Sequence, residues 1–210
     1  MSSINKELRT IFIHVPKVAG GSLSNFDWNR GNGHKTFTDF EAELGNLEIE
    51  KYFVWAFVRN PWDRIVSAYE DCPEIFPHAP SFESFIKQIY YNRHELNGIR
   101  SLRFSSLPRF GFPFGRMHFQ PMSLLLSDKF GTIRADWVGK YETLNGDFER
   151  LQLKLGVKPE ILPHHNQRKK KKDRRTSFYI DLYTQELSEM VGEIYAKDIQ
   201  AFCYEPPRLN

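Results

Sequence analysis

Three apolar runs interrupt an otherwise polar chain, and none of them alternates in the way a half-wet strand does. Thr10–Val15, Tyr52–Val58 and Asp136–Gly139 read as strands buried on both faces, the pattern of a parallel sheet. Each run leads into a segment with helical features. Ser22–Trp28 follows the first. "NPWDRIVSAYED" follows the second, with Asn60 as N-cap, Pro61 at the first helical position and Asp63 in the first turn. In "TLNGDFERLQLKLG", after the third, Leu144, Phe148, Leu151 and Leu155 recur at helical spacing and Gly156 marks the end. Further helices are predicted over Ser81–Tyr91 and Ile180–Phe202, the latter with Leu187, Met190, Val191, Ile194, Ile199 and Phe202 in one apolar stripe. Strands alternating with helices predict an α/β fold built on a parallel sheet. No internal repeat and no long linker divides the chain, so one domain is expected over residues 1–210. The middle, "GIRSLRFSSLPRFGFPFGRMHFQP", has no period and reads as an irregular insertion.

Composition narrows the class. The chain has 210 residues, 40% hydrophobic and 15% aromatic, enough to bury a core. Its net charge of +3 is small, but "RKKKKDRR" (Arg168 to Arg175) is densely basic. Such a run is either a solvated loop or a contact for nucleic acid or an anionic glycan. No run approaches the roughly 18 apolar residues of a membrane span, and the N-terminus has no secretory h-region. The two cysteines, Cys72 and Cys203, have no metal-ligand spacing. A cytoplasmic protein without a metal is expected.

The chemistry concentrates where strands end. "TIFIHVPKVAGGSL" runs from a strand through Lys17 into Gly20, Gly21 and Ser22, a turn that offers backbone N–H groups and a lysine to an anion. The Walker pattern differs, because there the lysine follows the glycines. "FVRNPWDRIVSAY" puts Arg59 at the end of the second strand and Ser67 two turns into the next helix, with Arg64 on a similar face. An arginine and a serine so placed suit a second phosphate. Two anion sites about forty residues apart suit a nucleotide phosphorylated at two positions.

These two motifs resemble the 5′-phosphosulfate loop and the 3′-phosphate motif of sulfotransferases. The likeness is to the carbohydrate group that includes the heparan 2-O and chondroitin 4-O enzymes, with their bacterial relatives. "HFQPM", "DWVGKYETLNGDFERLQLKLG", "LPHHN" and "LYTQELSEMVGEIYAKDIQAFCYE" follow in the same order, so the likeness covers nearly the whole chain. It departs at "GGS", where the family often has Gly-Thr-Ser. The resemblance implies a P-loop-like three-layer fold, a central parallel sheet flanked by helices. It also implies 3′-phosphoadenosine 5′-phosphosulfate (PAPS) as donor and adenosine 3′,5′-bisphosphate (PAP) as product, without a metal. Lys17 and the N–H groups of Ala19, Gly20, Gly21 and Ser22 would hold the 5′ end, and Arg59 and Ser67 the 3′-phosphate. By the same resemblance Arg175 and Ser177 would be further donor contacts.

Sulfuryl transfer to a hydroxyl needs a base. By the same resemblance it is His34, in the Gly33–His34 pair before the second strand, with His118 of "HFQPM" as competitor. His14, inside the first strand, reads as a packed residue. The acceptor is expected to be a carbohydrate, anionic if Arg100, Arg103, Arg109 and Arg116 face it. Two other classes remain open: an ATP-dependent kinase, which would need Mg²⁺, and a basic nucleic-acid-binding protein. The small net charge and the lack of RRM, KH or zinc patterns speak against the second. Oligomeric state is not readable from these patterns.

Overall fold

The structure is a computed structural model in which residues 3–29, 33–71, 81–96, 116–163 and 179–209 are described. They fall into two compact units, Met1–Arg59 with Met122–Arg168 and Asn60–Pro121 with Lys169–Asn210.

The first unit contains a four-stranded sheet in the order β1 (Ile4–Asn5), β2 (Thr10–Ile13), β3 (Phe53–Val58), β4 (Trp137–Lys140). The last three strands pair in parallel, as expected, but the expected burial on both faces fails for β4, where only Gly139 is buried. All of β2 and five of the six residues of β3 are buried. β1 is an antiparallel edge strand of two residues, too short to register as a pattern. Between β2 and β3 lie α1 (Gly20–Leu23), α2 (Phe37–Leu44) and α3 (Asn46–Ile49). The expected helix Ser22–Trp28 is therefore shifted and shortened. Asn29 ends it by donating Nδ2–H to the carbonyl of Leu23 at 2.7 Å, satisfying an acceptor that another helical turn would have used. α2 has no counterpart in the sequence reading, although its signal is present. Thr36 and Asp39 form a reciprocal capping box at its start.

Aromatic rings pack against one another in the core of this unit. Phe12 stacks on Trp55 with ring centroids 4.3 Å apart, and Phe26 meets Phe148 at 4.8 Å. Phe148 belongs to α8 (Leu144–Lys154), whose predicted stripe faces inward at Phe148 and Leu151. α8 stops where Gly156 adopts φ 68°, the left-handed C-terminal turn expected of glycine. α7 (Met122–Leu126) precedes β4 and is also buried along most of its length.

A single carboxylate organises the turn between β4 and α8. Asp147 accepts hydrogen bonds from the Lys140 N–H at 2.8 Å and the Thr143 hydroxyl at 2.6 Å, and it pairs with Arg150. Tyr141–Thr143 forms the short 3-10 turn between those two donors.

The second unit is helical: α4 (Pro61–Asp71), α5 (Phe82–Tyr91), α6 (Arg93–Leu96), α9 (Gln185–Ile194) and α10 (Ala196–Phe202). Asn60 caps α4 as predicted, its Oδ1 accepting from the Trp62 N–H at 3.0 Å. Trp62, Ile65, Phe85, Ile86, Val191 and Tyr195 lie in one core. Trp62 Nε1 donates to the Ser188 carbonyl at 3.0 Å, and the Tyr183 hydroxyl donates to the Trp62 carbonyl at 2.9 Å. The C-terminal helix expected over Ile180–Phe202 is three pieces, a 3-10 turn at Ile180–Leu182, then α9, then α10. The break falls at Tyr195, which leaves helical geometry with φ −111° and ψ 25°. Its hydroxyl donates to the Phe119 carbonyl at 2.7 Å, so the side chain's buried partner lies off the helix axis. Burial pushes that hydroxyl's pKa above the ordinary tyrosine range. Among the described residues no helix is long and apolar enough to cross a membrane.

Burial alone would raise the Asp147 carboxyl, but its hydrogen bonds from Thr143 and Lys140, together with Arg150, outweigh burial and hold it below 3.8. A carboxyl whose folded value is depressed stabilises the fold above its unfolded value and loses that contribution as pH falls through the folded one. Asp147→Asn is therefore expected to be less stable at pH 7 by about 1–3 kcal/mol. The gap to the unaltered protein should narrow as the pH is lowered below the ordinary carboxylate range. Urea melts at pH 7 and below that range measure it; a gap that stays constant with pH excludes the ionised carboxylate as its source.

Candidate functional site

Beyond Ile13 the chain turns sharply, with the Val15 N–H donating to the Ile13 carbonyl at 3.0 Å. Two residues of the turn are left-handed without being glycine: Lys17 at φ 70° and Ala19 at φ 65°. Each such residue costs on the order of 1–3 kcal/mol, a strain that persists only when its surroundings fix it. Ala19 heads α1, and its carbonyl accepts from the N–H groups of Ser22 at 2.9 Å and Leu23 at 3.1 Å. Gly20 and Gly21 supply the first N–H groups of α1, which a helix's own ladder cannot satisfy. Ser22 is buried and Gly21 exposed.

Of the two adjacent glycines, Gly20 has a packing reason. A Cβ on Gly20 would lie 1.5 Å from His14 Nε2, so the imidazole occupies the space a side chain would take. His14 is buried, as its place inside the apolar run predicts, with 7% of its surface exposed. Its carbonyl lies 3.1 Å from His34 Nδ1, and the two imidazoles sit with centroids 4.3 Å apart. A carbonyl only accepts, so this bond requires the proton on Nδ1 and leaves the basic lone pair on Nε2. His34 is thereby brought to the turn that carries Lys17.

Arg59 reaches the same turn from β3. Its Nη1 donates to the Lys17 carbonyl at 3.1 Å, its backbone N–H points to Met122 Sδ at 3.5 Å, and its guanidinium carbon lies 4.2 Å from the centroid of the Tyr141 ring. The first unit thus brings Lys17, the Ala19–Ser22 turn, His34 and Arg59 together at the carboxyl ends of parallel strands, where ligands sit in open α/β sheets. Ser67 is half-buried on α4 in the second unit. Arg64, in the same helix, is 1% exposed and donates Nη1–H to the Gln120 carbonyl at 2.8 Å, which makes it a core residue of that unit. His118 lies in a 3-10 turn of the second unit, 6.4 Å from the Phe119 ring. Arg175, Ser177 and the Arg168–Arg175 run lie outside the described residues, as do Arg100, Arg103 and Arg109. A groove of about 350 Å3 beside the β1–β2 turn, bordered by Asn5, Glu7, Asp27 and Trp28, contains none of the expected site residues.

Sequence reasoning missed Tyr141 and underused His14. Tyr141 carried a signal: it directly follows β4, as Arg59 directly follows β3. Among the described residues no group of His, Cys, Asp and Glu could hold a metal ion.

The comparisons with known proteins agree in direction. The model of a family described as "Sulfotransferase family" matches residues 3–205. Carbohydrate sulfotransferase 9 of Homo sapiens is 25% identical over 195 residues, which covers 85% of this chain and 43% of that protein. Carbohydrate sulfotransferase 14 of Danio rerio is 25% identical over 229 residues, covering 97% of this chain and 62% of that protein. The chain therefore spans only part of either relative's length. No solved structure matches it.

The overlap at Gly20 has a direct consequence. Gly20→Ala forces His14 to move and is expected to cost about 1–3 kcal/mol in a chemical melt, whereas Gly21→Ala, at an exposed position, should stay within about 0.5 kcal/mol. Adding His14→Ala to Gly20→Ala should recover part of the loss. Equal costs at the two glycines would contradict the packing described.

Proposed function

The chain belongs to the sulfotransferase family, and from that premise we propose that it moves a sulfuryl group from PAPS to a hydroxyl of a carbohydrate acceptor. The single observation that carries this reading is the Arg59 to Lys17 hydrogen bond of 3.1 Å, which sets a strand-end arginine beside the lysine turn. The names of the two relatives support the carbohydrate acceptor. We further propose that the whole chain works as one catalytic domain and that its location is cytoplasmic, in keeping with its two cysteines.

The donor supplies an activated sulfuryl group on its 5′-phosphate. In this reading the Lys17 ammonium lies against the bridging oxygen and neutralises the charge that grows there as the sulfur–oxygen bond breaks. The N–H groups of Ala19, Gly20 and Gly21 and the Ser22 hydroxyl hold the 5′-phosphate. Arg59, with Ser67 and with Arg175 and Ser177 as further contacts, holds the 3′-phosphate. His34 Nε2 takes the acceptor's proton as its oxygen bonds to sulfur, a role for which the Nδ1 contact to the His14 carbonyl selects the right tautomer. PAP then leaves. No metal enters this proposal. An acceptor that is itself anionic is part of it, through the arginines of the middle segment.

Calorimetric titration without magnesium tests the nucleotide half. PAP should bind, ADP should bind at least tenfold more weakly, and Arg59→Ala should lose most of the difference, since a hydrogen bond to a charged group is worth about 1.5–3 kcal/mol. A preference for ADP or a need for Mg²⁺ would overturn the donor assignment. For the base, His34→Ala should keep PAP affinity and lose about 10²- to 10⁴-fold in turnover with a hydroxyl acceptor. Full turnover in that variant would move the role to His118 or to a carboxylate.

A further inference from the structure

The register of the sheet sets two side chains next to each other in a way that neither motif announces. Val58 is paired with Lys140 across β3 and β4, so the next residue on each strand, Arg59 and Tyr141, leaves the sheet side by side. The Arg59 guanidinium lies over the Tyr141 ring at 4.2 Å and reaches past it to the Lys17 carbonyl at 3.1 Å. Tyr141 is itself seated by the Asp147 clamp, whose two donors, the Lys140 N–H and the Thr143 hydroxyl, flank it in sequence. A continuous chain of contacts therefore runs from Asp147 through the 3-10 turn, the tyrosine ring and the guanidinium to the strained backbone of Lys17.

We infer that Tyr141 is a positioning residue: its ring fixes the plane of the Arg59 guanidinium, which couples the two phosphate subsites and holds the Lys17 turn. This deepens the proposed donor reading and rests on it for the identity of the ligand. The physical reason is the long arginine side chain, which has many rotamers and whose fork binds well only when its plane is set. An aromatic face restricts that plane, and cation–π attraction rewards it. One N–H committed to the Lys17 carbonyl removes the remaining rotation and gives the left-handed residue one of the contacts that sustain its strain. Tyr141 does this without touching the reacting atoms.

Two variants and two readouts test the inference. Tyr141→Leu removes the aromatic face and keeps apolar bulk; Tyr141→Phe keeps the face and removes only the hydroxyl. Calorimetry with PAP reads the subsite, and hydrogen exchange of the peptide spanning residues 15–24 in the ligand-free protein reads the turn. Tyr141→Leu should bind PAP about three- to tenfold more weakly and exchange faster in that peptide, and Tyr141→Phe should recover most of both. Unaltered exchange and affinity in Tyr141→Leu would overturn the inference, as would a loss in Tyr141→Phe equal to that in Tyr141→Leu. If the unaltered protein bound no PAP while the exchange difference held, the donor assignment would fall and the positioning role would stand.

Discussion

Parallel strands share one carboxyl end, and whatever follows them in sequence is delivered to the same edge of the sheet. β2, β3 and β4 pair in this way, so three segments far apart along the chain arrive together: the Lys17 turn, Arg59 and Tyr141. An antiparallel β3 would have sent Arg59 to the opposite edge. The buried apolar faces of β2 and β3 make a change of register costly. Hydrophobic pairing thus sets a polar arrangement in which none of the polar groups chose its own neighbours.

The strained turn depends on that arrangement. Left-handed lysine and alanine are poor local choices, and the turn that contains them is held in part by contacts that come from elsewhere in the fold. Arg59 holds the Lys17 carbonyl, and the His14 ring occupies the space over Gly20. His14 serves the neighbouring loop as well, since its backbone carbonyl is what His34 meets. The side chain and the main chain of one residue just beyond the end of β2 therefore shape two features of the site.

The three parallel strands, the Asn60 cap and the inward stripe of α8 were legible because each depends on spacing within one short segment. The turn that carries Lys17 and the strand-end position of Arg59 were legible for the same reason. The rest depended on contacts between segments. Asn29 truncates α1 by reaching back to Leu23, Tyr195 interrupts the C-terminal helix while its hydroxyl bonds to Phe119, and Arg64, whose spacing puts it on a face similar to that of Ser67, is a buried core residue. Tyr141 stayed hidden because its meaning lies in the pairing of Val58 with Lys140. The basic run and the arginines Arg100, Arg103 and Arg109 fall outside the described residues.

The chain passes between its two units three times, at Arg59–Asn60, Pro121–Met122 and Arg168–Lys169. Synthesis therefore makes β2 and β3 early but reaches β4 only after the whole Asn60–Pro121 segment. α9 and α10, which belong to the helical unit, follow β4 and α8 in the chain. A nascent chain holds an unfinished sheet with β3 unpaired along one edge until residue 140 has emerged, and no single cut can release either unit whole. The connectivity that gathers the site also delays it, and makes its assembly one of the later events in the life of the polypeptide.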